Sequence, residues 1–251
     1  MAQSQEPTEV LERGNVYFFY RPAVGAETPQ GLVDVQRFHM VLSPEGRDVL
    51  RVITVGRKRL PEPADSGQKF WGFVKRVVED PADLEAELAG GEGSGEEPRF
   101  LTPARPAGEG VYAVVRHGNH SHLAYALELP AEPDEVQREL HIEKEGVYLL
   151  SIKNPEAGSP PSVGLEEERK ADFPPELQER FGGRRFVPCV PPVFLDHEGA
   201  ELLLMGSAED HEIDAGLDPQ EETEQTADLF KELRLTREQH PVEPLLAGKW
   251  A

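Results

Sequence analysis

Three histidines fall within six positions near the middle of the chain, at His117, His120 and His122, and Glu128 follows in the same apolar run. Imidazole is the commonest metal ligand in proteins and the usual acid–base group near neutral pH. His120 and His122 are two residues apart, so a strand would present both on one face, together with Glu128. One interpretation of this spacing is a divalent metal site, used for binding or for metal-dependent catalysis.

The same stretch has a second interpretation, which we favour, as the tip of a hairpin. Gly118 and Asn119 are residue types that turn a chain between two strands, and histidines beside such a turn lie in solvent. The His-x-His order followed by Glu128 is similar to the first motif of the cupin barrels, but that motif places its glutamate nearer to the second histidine. We therefore infer no cupin function, and on this interpretation no cofactor is expected.

Basic residues are concentrated in two parts of this acidic chain, residues 51–59 and residues 184–185. Arginine side chains bind carboxylates and phosphates in bidentate geometry. Brought together by the fold, the two groups would bind an anionic small molecule or an acidic peptide. The alternative is that they pair with the acidic C-terminal segment of this same chain. The predicted anion-binding set is Arg51, Arg57, Lys58, Arg59, Arg184 and Arg185.

The sequence contains none of the common motifs of nucleophilic or nucleotide-dependent catalysis, such as Gly-x-Ser-x-Gly, a phosphate-binding loop or a dinucleotide fingerprint. The single cysteine, Cys189, lies between two Val-Pro pairs, and such an apolar setting raises the pKa of a thiol and makes it unreactive. We therefore expect a binding or scaffold protein rather than an enzyme.

The net charge of −21, from 47 acidic and 26 basic residues, bears on the partners of the chain. A charge of this sign repels nucleic-acid phosphates and anionic lipid surfaces, so we expect no general nucleic-acid binding and no membrane binding. The sequence shows no signal peptide and no run of the ~18 apolar residues that a membrane span needs. These observations predict a cytoplasmic protein that binds a protein partner or an anionic small molecule.

Two segments, 14–61 and 110–155, each have the pattern of a three-strand meander, with apolar β-branched and aromatic runs between turn signals. Similar short sequences recur between them at offsets of about 100 residues, Val35-Gln36-Arg37 and Val136-Gln137-Arg138 among them. We interpret this as a tandem duplication; the alternative is that any two hairpins look alike at this level. Residues 1–13 are polar and expected to be flexible.

Between the two segments, the sequence predicts helices over residues 68–89. The apolar residues from Phe70 to Val78 recur at i, i+3, i+4 and i+7, which is the period of an amphipathic helix. The Asp80-Pro81 pair has the residue types of an N-cap and a first helical position, so a second, short helix is expected there. Residues 90–109 begin with a glycine-rich stretch and are predicted to be a linker.

The C-terminal residues 206–251 are predicted to form an acidic helix, starting near Asp218, and then an extended strap. The strap carries Leu245, Leu246 and Trp250, which are too apolar to remain in water. We expect the strap to dock on the body of its own chain; the alternative is that these three residues bind a protein partner.

Together these patterns predict an α+β protein. Its body, residues 14–205, would be mainly antiparallel sheet with a tandem three-strand repeat, and the amphipathic helix of residues 70–78 would pack on that sheet.

Overall fold

A computed structural model of the chain describes residues 8–92, 100–159, 163–207, 213 and 215–251. The strands are β1 (Thr8–Pro22), β2 (Val35–Pro44), β3 (Leu50–Val55), β4 (Lys69–Val78), β5 (Gly91–Glu92), β6 (Phe100–Leu101), β7 (Arg105–His117), β8 (His120–Leu129), β9 (Glu145–Lys153), β10 (Phe186–Pro188) and β11 (Glu201–Gly206). The helices are α1 (Pro81–Leu88), α2 (Glu135–Leu140), α3 (Pro175–Gln178), α4 (Asp228–Glu232) and α5 (Glu243–Ala247). Four 3₁₀ turns span Leu32–Asp34, Glu167–Arg169, Glu179–Phe181 and Pro192–Asp196.

Eight of the strands close into an antiparallel β-barrel. Around the barrel the order is β1, β2, β3, β4, β11, β9, β8 and β7, and β7 pairs again with β1. The short strand β10 adds to one end of β9, and β5 and β6 form a separate hairpin. The longest α-helix among the described residues has only 8 residues. The prediction of an α+β fold is therefore wrong, because the protein is mostly β.

The predicted amphipathic helix of residues 70–78 is instead the barrel strand β4. Its β-branched and aromatic residues favour a strand, and both faces of the strand are partly covered, which places apolar residues side by side in the sequence. A β-bulge adds to the misleading pattern, since Val52 pairs with Arg76 and the next residue, Ile53, pairs with Val74. After the bulge the alternation changes phase, and the result imitates a period of 3.6 residues.

The second predicted helix, by contrast, is confirmed. Helix α1 begins at Pro81, and the Oδ1 atom of Asp80 accepts a hydrogen bond from the backbone N–H of Ala82. This is the N-cap arrangement that the residue pair indicates. Leu84 and Leu88 are the buried side of the helix and pack on the outer face of the barrel.

Both predicted meanders are present, as β1–β2–β3 and β7–β8–β9, and they meet where β1 pairs with β7. One of the sequence similarities between them does not mark equivalent positions, since Val35-Gln36-Arg37 lies in β2 and Val136-Gln137-Arg138 lies in α2. The duplication stays a hypothesis. Residues 8–13, which we expected to be flexible, are the start of β1, and the predicted linker 90–109 contains β6 and the first part of β7. Residues 1–7 and 93–99 of these two predicted segments lie outside the described residues.

The barrel interior is filled by side chains, most of them aromatic or branched. Phe18 lies at its centre, with ring centroids 6.1 Å from Phe38 and 5.0 Å from Tyr125. One end is covered by α2, and the segment 171–195 covers the other. Among the described residues, no helix has both the length and the apolarity needed to cross a membrane.

The C-terminal segment docks on the barrel, as predicted, but its shape differs from the prediction. Leu245 is fully buried, and the Trp250 ring lies edge-on to Tyr20 with centroids 5.0 Å apart. The buried side chain of Gln137 donates to the carbonyl oxygens of Ala107 and Pro244 at 2.8 Å, which joins α2 and β7 to the segment.

The predicted acidic helix is reduced to α4 and the expected extended strap contains α5. Proline is tolerated in the first turn of a helix because backbone N–H groups there have no partner within the helix, so a missing N–H costs little. Pro244 therefore fits in the first turn of α5.

A chain whose only tryptophan is Trp250, made by Trp71→Phe, is expected to emit at a blue-shifted wavelength because the indole ring is packed against Tyr20. Acrylamide should quench this emission slowly. Red-shifted and readily quenched emission would show that the segment stays in solvent and would favour its use as a partner-binding peptide. Trp250→Phe, in which Trp71 alone reports, is the matched control.

Candidate functional site

The histidines lie at the hairpin between β7 and β8, as the favoured interpretation of the sequence predicts. The expectation that they lie in solvent is wrong for His122, because the sheet covers its side chain. His117 pairs with His120 across a turn in which Gly118 has a φ of 56°, a conformation that favours glycine. The rings of His117 and His122 are 6.4 Å apart, His122 is buried and His120 is exposed. The part of the chain that the structure describes contains no group of three or more His, Cys, Asp or Glu side chains placed to hold a metal ion.

Glu128, the fourth predicted metal ligand, lies at the other end of β8. Its Oε1 atom accepts a hydrogen bond of 2.6 Å from the backbone N–H of Gln220. Burial raises the pKa of its carboxyl group, and the nearby Glu222 and Asp228 add to this effect. Glu128 therefore helps to hold the C-terminal segment and does not join the histidines.

The Arg51 side chain is fully buried and already paired with carboxylates. Its Nη1 and Nη2 atoms donate to the two carboxylate oxygens of Glu12 at 2.6 and 2.9 Å, and its Nε atom donates to Asp196 at 2.7 Å. Tyr112 donates to Glu12 at 2.8 Å, and Arg47 donates to Asp196 at 2.6 Å. Burial alone would lower the pKa of Arg51, but Glu12 and Asp196 raise it above its ordinary value. The Arg51 guanidinium is therefore paired with carboxylates of the fold itself.

The other five predicted basic residues lie in two separate segments, 57–59 and 184–185. Arg184 is held by the carbonyl oxygens of Phe181 and Arg180, at 3.2 and 2.9 Å. Arg57 lies over the Phe70 ring, and Arg185 over the Phe186 ring. The fold therefore does not gather the six residues into one site. None of the six is paired with the acidic C-terminal segment in the part of the chain that the structure describes.

Arg57 instead belongs to an open cleft of about 360 Å³ on the outside of the barrel. The floor of the cleft is the outer face of β4, where Trp71 and Phe73 are half-buried. Trp71 also packs against Phe186, with ring centroids 5.9 Å apart. The volume is within the range of small-molecule sites, which join apolar walls to a few polar groups. The residues that give the cleft its chemistry are Arg57, Lys69, Trp71, Phe73, Leu165 and Glu201.

The charges around this cleft leave a positive excess. Glu201 is buried, its Oε1 atom accepts from the backbone N–H of Leu165 at 3.0 Å, and its Oε2 atom lies 3.7 Å from the Nζ atom of the buried Lys153. Lys153 therefore balances the charge of Glu201. Arg57 and Lys69 form no ion pair with any residue that the structure describes, so both remain able to attract an anion.

A second side of the cleft is formed by residues 163–165, and its backbone conformation requires a glycine at position 164. Gly164 has a φ of 104°, and a Cβ atom there would lie 2.9 Å from the Oε1 atom of Glu201 and 2.6 Å from the side chain of Ser159. Glycine at this position lets the next residue, Leu165, bring its N–H to Glu201. Lys69, Trp71 and Phe73 are not among the site residues predicted from the sequence, because the apolar period of residues 70–78 indicates a helix there.

Cys189 is fully buried, as its apolar neighbours predict. Burial raises the pKa of its thiol, and its backbone N–H donates to the Oγ atom of Ser121 at 2.7 Å. The thiol is therefore a packing group between the barrel and the segment that covers its end.

Comparison with known proteins found no match: no family profile, no curated protein and no solved structure is significantly similar to this chain.

Proposed function

We propose that this chain is a binding protein, and that its cleft takes a small ligand with a flat apolar portion and an anionic group. The observation that supports this is the pairing of a half-buried aromatic floor with two cations that form no ion pair among the described residues. Trp71 and Phe73 offer ring faces and edges for stacking, and Arg57 and Lys69 stand at the same cleft. Such a site would bind by recognition, without a bond being made or broken.

The cytoplasm is the compartment that we propose for this function. The support is that the chain, with Cys189 as its single cysteine, is held together without an internal disulfide, unlike many secreted proteins. The net charge of −21 argues against a nucleic acid as the partner, because phosphate contacts need a basic surface that extends well beyond two side chains.

We expect 1-anilinonaphthalene-8-sulfonate, an aromatic probe with one sulfonate, to bind at one site per chain and to quench Trp71 by energy transfer. The measurement uses the Trp250→Phe background, in which Trp71 is the one tryptophan. Removing both cations, by Arg57→Ala with Lys69→Ala, should weaken binding about tenfold or more, since one charge-assisted contact is worth about 1.5–3 kcal/mol. N-phenyl-1-naphthylamine, which lacks the sulfonate, should bind the double variant as it binds the parent.

The matched control is the double variant Lys58→Ala with Arg59→Ala. It removes the same charge from the neighbouring turn, outside the lining of the cleft, and should leave the affinity for the sulfonate unchanged. Equal losses in both double variants would mean that general charge attracts the probe. An affinity unchanged by Arg57→Ala with Lys69→Ala would reject the proposed site. Thermal unfolding of each variant checks that the fold is retained.

A further inference from the structure

Carboxyl groups of the barrel hold the C-terminal segment at the start of α4. Glu109 of β7 is 1% exposed, and its two carboxylate oxygens accept the backbone N–H groups of Asp228 and Leu229 at 3.1 and 3.0 Å. These amides belong to the first turn of α4, where N–H groups have no partner within the helix. A barrel side chain therefore caps the first turn of α4, whose N-cap residue, Ala227, has no side-chain acceptor.

A second carboxyl group converges on the same place. The Oε2 atom of Glu222 accepts from the N–H of Asp228 at 3.2 Å, so Glu109 and Glu222 share one donor. The shared donor places the two carboxyl groups side by side, and two such groups at a buried position without a cation favour the form in which one of them carries a proton. Burial, together with Glu222, raises the pKa of Glu109 to about 9.

The other titratable groups around Glu109 are mostly acidic or neutral. Tyr17 of β1 donates to Glu232 of α4 at 2.6 Å, and Glu128 of β8 holds the backbone of Gln220. Burial and Glu232 raise the pKa of Tyr17 far above its ordinary value, so it remains neutral. Lys231 is paired with Asp228 at the exposed side of α4. No cation pairs with Glu109 or Glu222 among the residues that the structure describes.

The segment held in this way covers an apolar part of the outer barrel face. Leu229, Leu233 and Leu235 are buried against residues of β1, β2 and β3. Tyr17 and Phe19 lie beneath them and are fully buried. Lifting the segment would therefore expose two aromatic side chains of the barrel wall.

We propose that the Glu109–Glu222 pair is a proton-dependent latch, which keeps residues 215–235 on the barrel while one proton is shared and releases them when it is lost. In the closed state, loss of the proton leaves two carboxylates side by side without a cation, and the opened state separates them in water. Opening exposes the apolar face of β1, a surface of the kind that another protein would bind.

The direction of the pH dependence follows from the two pKa values of Glu109. In the open state the group has its ordinary pKa of 4.5, and in the closed state the pKa is about 9. The closed state therefore holds one proton more than the open state between these values. The latch is strongest below pH 4.5. Between pH 4.5 and pH 9 the equilibrium constant for opening increases by up to about tenfold per pH unit, and above pH 9 it no longer changes.

Hydrogen exchange of the amides of residues 215–235, compared between wild type and Glu109→Gln, tests the latch. Glutamine keeps one acceptor and donates to Glu222 at every pH, so it imitates the protonated group. The ratio of wild-type to variant exchange rates cancels the intrinsic pH dependence of exchange. This ratio should rise by up to about a hundredfold from pH 6 to pH 8, since one proton is linked to opening. Peptides from β2 serve as the internal reference and should keep a constant ratio.

Two further variants make the outcome decisive. Glu222→Gln removes the other half of the pair and should reduce the pH dependence, although burial still raises the pKa of Glu109 in this variant, so it decides the question if Glu109→Gln fails to fold. Glu224→Gln is the matched control, because Glu224 lies in the same segment but pairs with Arg237, and it should keep the wild-type slope. A ratio that is constant from pH 6 to pH 8 in wild type against both latch variants would overturn the proposal.

Discussion

Replacing Phe70 by alanine is expected to lower the free energy of unfolding by about 3–5 kcal/mol, the usual cost of emptying an aromatic position in a packed core. Phe70 is 1% exposed and belongs to the barrel interior, with Val74 on the same side of β4. No neighbouring strand can collapse into the space, since closure of the barrel fixes the distances between strands. Chemical denaturation followed by circular dichroism measures the difference.

The matched control is the next residue of the same strand. Trp71 points outward, is half-buried and belongs to the cleft rather than the barrel interior, so Trp71→Ala should cost clearly less, about 1–2 kcal/mol, because it opens no cavity in the core. A helix with a wide apolar stripe over residues 70–78 would bury both side chains and give similar losses. The ratio of the two losses therefore distinguishes the strand from the helix that the sequence pattern suggests.

Replacing Arg51 by methionine is expected to destabilise the protein by about 3–5 kcal/mol, because a buried pair that loses one partner leaves the other uncompensated. Arg51 holds Glu12 and Asp196 together at one end of the barrel, where all three groups are wholly or largely shielded from water. The triple change Arg51→Met, Glu12→Gln and Asp196→Asn removes the remaining charges. It should recover part of the loss, since the desolvation cost disappears with the charges.

An exposed ion pair provides the comparison for Arg51. Arg76 and Glu198 are 3.3 Å apart and each is about half-exposed, and Arg76→Ala should cost no more than about 1 kcal/mol. If Arg51→Met were equally mild, the buried cluster would be dispensable for stability. A triple variant less stable than Arg51→Met alone would instead show that the hydrogen bonds of the two carboxylates outweigh their desolvation.

The predictions that hold concern features whose cause lies within a few residues. The His117–His120 turn forms because Gly118 adopts a positive φ without strain, and α1 begins at Asp80-Pro81 because the cap and the proline act on adjacent amides. The segments that form β1, β2 and β3 are rich in β-branched and aromatic residues, so their local composition predicts strands. Each of these signals depends on backbone sterics or on local hydrogen bonds.

The predictions that fail concern features set by distant parts of the chain. Residues 70–78 are a strand because β3 and β11 pair with them on both sides, and the bulge that disguises the strand exists only in that pairing. Pairing with β3 and β11 satisfies the backbone of β4, so local periodicity does not decide its structure.

Residue types and short-range patterns are sufficient to indicate a β-rich acidic chain with hairpins, one capped helix, a buried cysteine and an apolar C-terminal segment. The tertiary structure sets the rest: the strands close into a barrel, Arg51 pairs with Glu12 and Asp196 while Arg57 lines the Trp71 cleft, and Glu109 and Glu222 meet at α4. Local conformation follows from each residue and its neighbours. Which charges are neutralised depends on side chains that are more than 100 residues apart in the sequence, as Arg51 and Asp196 are.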